Sequence, residues 1–163
     1  MLSPLTLLLA SIDEGFDRVA WHGPTLLGSL RGVTARQAAR RAGPHRHNIW
    51  EVTVHAAYWK YAVRRRLTGE KRGSFELKGS NWFLRPDGKL GRDKERAWKE
   101  DIKLLIDQHR KLRTAIAGFP VSSLDRPFRG KRQTAAYTIR GIAAHDLYHA
   151  GQIQLLKRLQ ART

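Results

Sequence analysis

Residues 141–153 read Gly141-Ile142-Ala143-Ala144-His145-Asp146-Leu147-Tyr148-His149-Ala150-Gly151-Gln152-Ile153. Ile142, His145, His149, Ile153, Leu156 and Leu159 recur at the three- and four-residue spacing of one helical face, which predicts a helix from about Thr134 to Gln160. Side chains four apart on a helix lie one above the other, with Cβ atoms about 5–6 Å apart. Two imidazoles so placed can bind one divalent cation. Their phase adds weight, because both share the stripe of Ile142, Ile153 and Leu156 and so point into a core. An unpartnered imidazole pair would be poorly satisfied there. The pattern is not the H-E-x-x-H of zinc proteases, since position 146 is Asp and the glutamate base is missing.

Working outward, the same periodicity recurs. Leu5, Leu8, Leu9, Ile12, Phe16 and Val19 mark a first amphipathic helix, interrupted at Trp21-His22-Gly23-Pro24. Pro24 is placed to open a short piece over Thr25 to Leu30. Thr34 with Gln37 resembles a capping box. A second long helix is expected from about His47 to Leu67, burying Ile49, Val52, Ala56, Trp59 and Val63 and ending at Gly69. Residues 69–91 are rich in glycine and form a long loop, of a length that is often functional. A third long helix runs from about Arg92 to Ala117 on Trp98, Ile102, Leu105, His109, Leu112 and Ile116, with Glu95–Lys99 and Asp107–Lys111 as i, i+4 pairs on its exposed side. No strand pattern or internal repeat appears. The expected architecture is all-α, a four-helix bundle with long connections, occupying residues 1–163 as a single domain.

Composition sets the boundaries of function. The 163 residues carry 31 Lys+Arg against 14 Asp+Glu, a formal net charge of +17, which points at polyanions. The surplus is uneven, with nets of +3, +12 and +2 over residues 1–60, 61–140 and 141–163. Arg64, Arg65 and Arg66 are consecutive and fan over roughly 200° of a helix, so they do not make one groove-facing stripe. The absence of cysteine excludes disulfides, thiolate nucleophiles, iron–sulfur clusters and Cys-based zinc sites. No stretch approaches the ~18 apolar residues of a membrane span. Met1 to Ala10 is apolar but lacks a basic n-region and runs into Asp13 and Glu14, so it reads as a helix start rather than a signal peptide. A soluble, cytoplasmic protein with no membrane partner is expected.

A third ligand has to come from another helix. His55 is the best placed, on the Val52–Trp59 buried face with Ala56 leaving room beside it. His45 and His47 lie at a helix start beside Pro44, where capping or exposure is the competing role. His22 is placed to line a cleft mouth, and His109 follows the apolar stripe of the third long helix. Trp50 and Trp59 flank His55. Trp50, His22 and His109 are therefore candidate substrate contacts.

The segments Asn48-Ile49-Trp50-Glu51-Val52-Thr53-Val54-His55-Ala56-Ala57-Tyr58-Trp59 and Gly141 to Ile153 resemble the DinB-like (DinB/YfiT) metalloprotein superfamily, over nearly the whole chain. The resemblance implies a four-helix bundle in which a second-helix histidine joins an HxxxH pair to bind a divalent ion. By motif these ligands are His55, His145 and His149. Zn or Ni is the leading expectation, with Mn or Fe as alternatives. The superfamily includes metal-dependent hydrolases and thiol-dependent transferases, so the implied reaction is one of these on a small molecule. A homodimer is expected on separate grounds, because two-fold dimers are the commonest oligomers.

Three neutral imidazoles leave a coordination position open. A cation there lowers the pKa of water toward ~7, or holds an incoming thiol as thiolate, the nucleophile that this chain lacks. The cationic site favours an anionic substrate or a low-molecular-weight thiol. Asp146, Gln152 and Tyr148 are candidate supports: an acceptor for a ring N–H, a hydrogen-bonding amide and a proton donor. Asp146 as the neighbour of His145 should point about 100° away from it, and Gly151 suggests a close approach of another helix. The competing function is a non-catalytic basic module that binds nucleic acid or another polyanion.

Overall fold

The computed structural model describes residues 2–86 and 93–161. Its regular structure is helical, with no strand among the described residues: α1 (Pro4–Phe16), α2 (Leu26–Ser29), α3 (Ala35–Ala39), α4 (Ile49–Thr68), α5 (Lys94–Ala117), a 3-10 turn at Val121–Ser123, and α6 (Ala135–Gln160). Local chemistry explains most of the boundaries. Ser3 caps α1 by accepting from the Thr6 amide at 3.1 Å, with Pro4 in the first turn. The helix stops at Phe16, so Val19 falls outside it and is fully exposed, contrary to the periodicity. Both halves of the Thr34–Gln37 capping box are formed.

The helix expected from His47 begins at Ile49, because Asn48 is its cap. The Asn48 Oδ1 accepts from the Glu51 amide at 2.8 Å and the Glu51 carboxylate returns to the Asn48 amide at 3.4 Å, a second capping box. Gly69 closes α4 at φ 73°, a left-handed conformation that glycine adopts without strain. Asp93 caps α5 at the Arg96 amide, and the expected start at Arg92 lies outside the described residues. Neither predicted surface pair on α5 forms. Glu95 accepts from the Ala35 amide at 2.8 Å and so ties α5 to the start of α3, while Asp107 lies 3.8 Å from Arg110.

The four long helices make the bundle: α4 packs on α5 and α6, and α1 on α6 and α5. At Gly15 α1 runs close to α6, since a Cβ there would lie 3.1 Å from the Ala143 carbonyl oxygen. The apolar interior has two parts. One gathers Trp50, Val54, Trp98 and Leu105 with the short helices α2 and α3; the other gathers Ile12, Val63, Leu112, Ile116 and Ile139. Between them on the helix axes lies a buried polar layer of Lys60, Gln108, His109 and Asp146. Lys60 and Asp146 form a fully buried ion pair, and the Lys60 Nζ sits 4.8 Å from the centre of the Phe16 ring. Burial pulls the Lys60 ammonium below its ordinary range and pushes the Asp146 carboxyl above its own; each partner's charge opposes the other's shift.

Candidate metal centre

Helix α4 delivers His55, and α6 delivers His145 and His149 one turn apart. Their Nε2 atoms converge: His145 lies 3.2 Å from His55 and 3.0 Å from His149, and the three candidate ligand atoms are all within 4.8 Å of one another. Two nitrogens about 2.1 Å from one ion lie about 3.0 Å apart at a right angle and about 3.4 Å apart at the tetrahedral angle. Both separations from His145 fall in that interval and His55 and His149 lie within 4.8 Å of each other, so the three side chains could hold a metal ion.

The far side of two rings fixes which nitrogen faces the centre. His55 Nδ1 donates to the Asn81 carbonyl at 2.8 Å, and His149 Nδ1 donates to Gln152 Oε1 at 2.7 Å. A neutral imidazole with its proton on Nδ1 presents a bare lone pair at Nε2. Converging lone pairs repel unless a cation lies among them, and outer hydrogen bonds of this kind orient liganding histidines. Burial is the first cause that lowers all three pKa values; the bonds to Asn81 and Gln152 oppose it at His55 and His149, while other histidines, and Lys60 at His145 and His149, add to it. His145 falls to about 3, His149 to about 4, and His55 below its usual value. The rings are thus neutral near pH 7, the form that binds metal.

His145 differs from the other two, because its Nδ1 is buried without a hydrogen-bond partner. The candidate acceptor, Asp146, does not turn to a histidine ring. It points the other way and bonds Lys60. It is also wholly buried.

The long loop after α4 supplies what sequence reading missed. Asn81, at φ 63°, brings its carbonyl to His55 and its side-chain oxygen to Trp59 Nε1 at 2.9 Å. Trp82 stacks on His55 with ring centres 3.8 Å apart and on His47 at 3.6 Å, so the indole is sandwiched between the two imidazoles. His47 is braced in turn by Glu51 at 3.1 Å. Burial pushes the Glu51 carboxyl up, but hydrogen bonds from Arg41, His47 and the Arg85 amide hold it below the usual carboxylate range.

A cleft of about 690 Å³ opens over the three histidines, walled by Val52, Trp82, Tyr148, Leu155 and Leu156. Gln152, Arg46 and His47 supply its other polar groups. Of the candidate supports, Tyr148 and Gln152 line this cleft. The other candidates do not. Trp50 is fully buried, donating to Asp101 Oδ2 at 2.6 Å, and is absent from the cleft wall, where Trp82 takes the position expected of it. His109 is buried against Phe16 with ring centres 3.6 Å apart; burial, then Lys60 and Arg113, lower it to about 3. His22 lines a separate cavity on another face of α6, with Leu147 and Gly151. His45 lines a third cavity, with Arg41, Glu51 and Trp82. A Cβ on Gly151 would meet nothing within 4 Å, so this glycine makes no close helix contact.

The family model of the DinB superfamily matches residues 19–153. The chain belongs to the DinB superfamily. The matched span holds all three converging histidines and the loop that carries Asn81 and Trp82. Comparisons with curated proteins and with solved structures return no match. As in the DinB-like resemblance, the site is shared between the second long helix and the last, and no described helix is long and apolar enough to cross a membrane.

Proposed function

We propose that this DinB superfamily member is a divalent-metal-dependent enzyme, a hydrolase or thiol-dependent transferase acting on a small molecule, with His55, His145 and His149 as the ligands. The observation that carries the reading is the convergence of three neutral imidazoles by their Nε2 atoms at the foot of an open cleft. Imidazole donors suit Zn, Ni or Fe better than Mg or Ca. When bound, the ion supplies Lewis acidity to a water or thiol that enters the cleft. The protein's part is orientation and exclusion. Asn81 and Gln152 hold two rings by their Nδ1 protons, Trp82 fixes the plane of His55, and Val52, Leu155 and Leu156 keep bulk water from the reacting end of a substrate. Tyr148 is exposed at the wall with its hydroxyl available for proton transfer. The basic surface acts by drawing an anionic substrate to a cationic site.

A cytoplasmic location and a homodimer complete the proposal. The latter is supported by the full exposure of Val19 and Trp21. The test is a turnover screen of metal-loaded protein on esters, amides and pairs of a low-molecular-weight thiol with an electrophile. Turnover that vanishes in His145→Ala supports the reading; turnover that survives that substitution places the chemistry elsewhere.

A further inference from the structure

Among the described residues, His145 lines two cavities, not one. Besides the large cleft, it closes the inner end of a groove of about 200 Å³ between α4 and α6. The helices run antiparallel, so Trp59, Val63 and Arg66 on α4 face Ile142, Thr138 and Tyr137 on α6. Seven or eight residues separate His145 from Thr138 and Tyr137, a distance of about 10–12 Å at 1.5 Å per residue. The floor is apolar, from Val63, Ile142 and the Trp59 ring, and the lining contains no carboxylate.

At the far end stands Arg66. The three consecutive arginines divide as their fan requires. Arg64 pairs with Glu70 at 2.7 Å, and Arg65 reaches the Glu70 carbonyl and lies over the Tyr61 ring. Arg66 is exposed, lines the groove, and has no ion-pair or side-chain hydrogen-bond partner among the described residues. A guanidinium at the open end of an apolar slot lacking any carboxylate is suited to a carboxylate on a narrow apolar body.

We propose that this groove is a second binding subsite, taking a small organic acid whose carboxylate meets Arg66 and whose other end reaches His145 from the side opposite the large cleft. Binding rests on the groove alone. Its use as a position for a second reactant rests on the metal-centre reading above.

The test measures binding of 4-phenylbutyrate and its neutral primary amide by calorimetry, on metal-loaded and on chelator-treated protein. The carboxylate should bind about tenfold more tightly than the amide, the scale of one charge-assisted pair. Arg66→Gln should abolish that preference and Arg64→Gln should keep it. Gly141 also lines the groove, and a Cβ there meets nothing within 4 Å, so Gly141→Leu should block both probes while leaving bound metal unchanged. A preference that survives Arg66→Gln, unaltered binding in Gly141→Leu, or no binding to the wild type overturns the proposal. So does a preference lost on chelation, because the carboxylate would then be ligating the metal. A preference shown by a wild-type chain that takes up no metal on incubation sustains the subsite and refutes the enzyme reading.

Discussion

The Lys60–Asp146 pair offers the sharpest perturbation of the fold that carries the site. Both side chains are fully shielded from water, they join α4 to α6 beside the histidines, and they occupy the layer between the two apolar clusters. Replacing Asp146 by Leu leaves an ammonium facing the Phe16 ring at 4.8 Å, with the weaker charge interaction of Asp17 in place of its ion-pair partner. Removing one partner of a buried pair costs about 3–5 kcal/mol. At about 2–4 °C per kcal/mol for a chain of this size, Tm should fall by about 10 °C. Lys60→Met should cost a similar amount. The double variant removes both desolvated charges and should return to within about 1 kcal/mol of wild type. Urea unfolding of the chelator-treated proteins yields the four corners of the cycle without metal binding as a contributor. Single variants costing below about 1 kcal/mol, or a double variant whose loss is the sum of the singles, would refute the reasoning.

The two glycine contacts predict opposite signs. Gly15→Ala forces a Cβ to 3.1 Å from the Ala143 carbonyl and should destabilise by about 1–3 kcal/mol, whereas Gly151→Ala meets open space and should stabilise α6 by about 0.5–1 kcal/mol; denaturant midpoints decide both. His109 has its folded pKa lowered from 6.5 to about 3, so between those values the unfolded chain binds a proton that the native one refuses. Stability therefore falls on acidification through that window, by up to about 1.4 kcal/mol per pH unit. His109→Gln should flatten the pH dependence of unfolding by one proton, and an unchanged slope would contradict this account. Gln152→Ala removes the acceptor that orients His149 and should weaken metal binding by about 10–100-fold while leaving Tm of the chelated protein unchanged. Metal titration with a competing chromophoric chelator reads that loss.

Much of this was legible in the sequence, for identifiable reasons. The phase of His145 and His149 on an apolar stripe reports helix geometry, which is local, and it led directly to a converging site. His55 followed because its own helix is periodic in the same way. Trp82 was illegible, since a loop side chain's position depends on the path of residues 69–86, which periodicity does not describe. Trp50 misled because neighbours of His55 in sequence point to different sides of α4. Its indole N–H instead satisfies Asp101, which also pairs with Arg85 at 2.9 Å. By sequence Asp146 is a candidate acceptor for a ring N–H, but its partner, Lys60, lies 86 residues away on another helix, beyond the reach of local spacing. The boundary misplaced at His47 was recoverable: Asn48 and Glu51 carry the capping-box spacing that identified Thr34 and Gln37.

Metal content of untagged protein is the most direct measurement of the central claim. The account predicts about one Zn, Ni or similar divalent ion per chain after incubation and gel filtration, and its loss in His55→Ala, His145→Ala and His149→Ala, with helical content retained. A wild-type chain that emerges metal-free, or a His55→Ala variant that holds the ion as firmly as wild type, would contradict it.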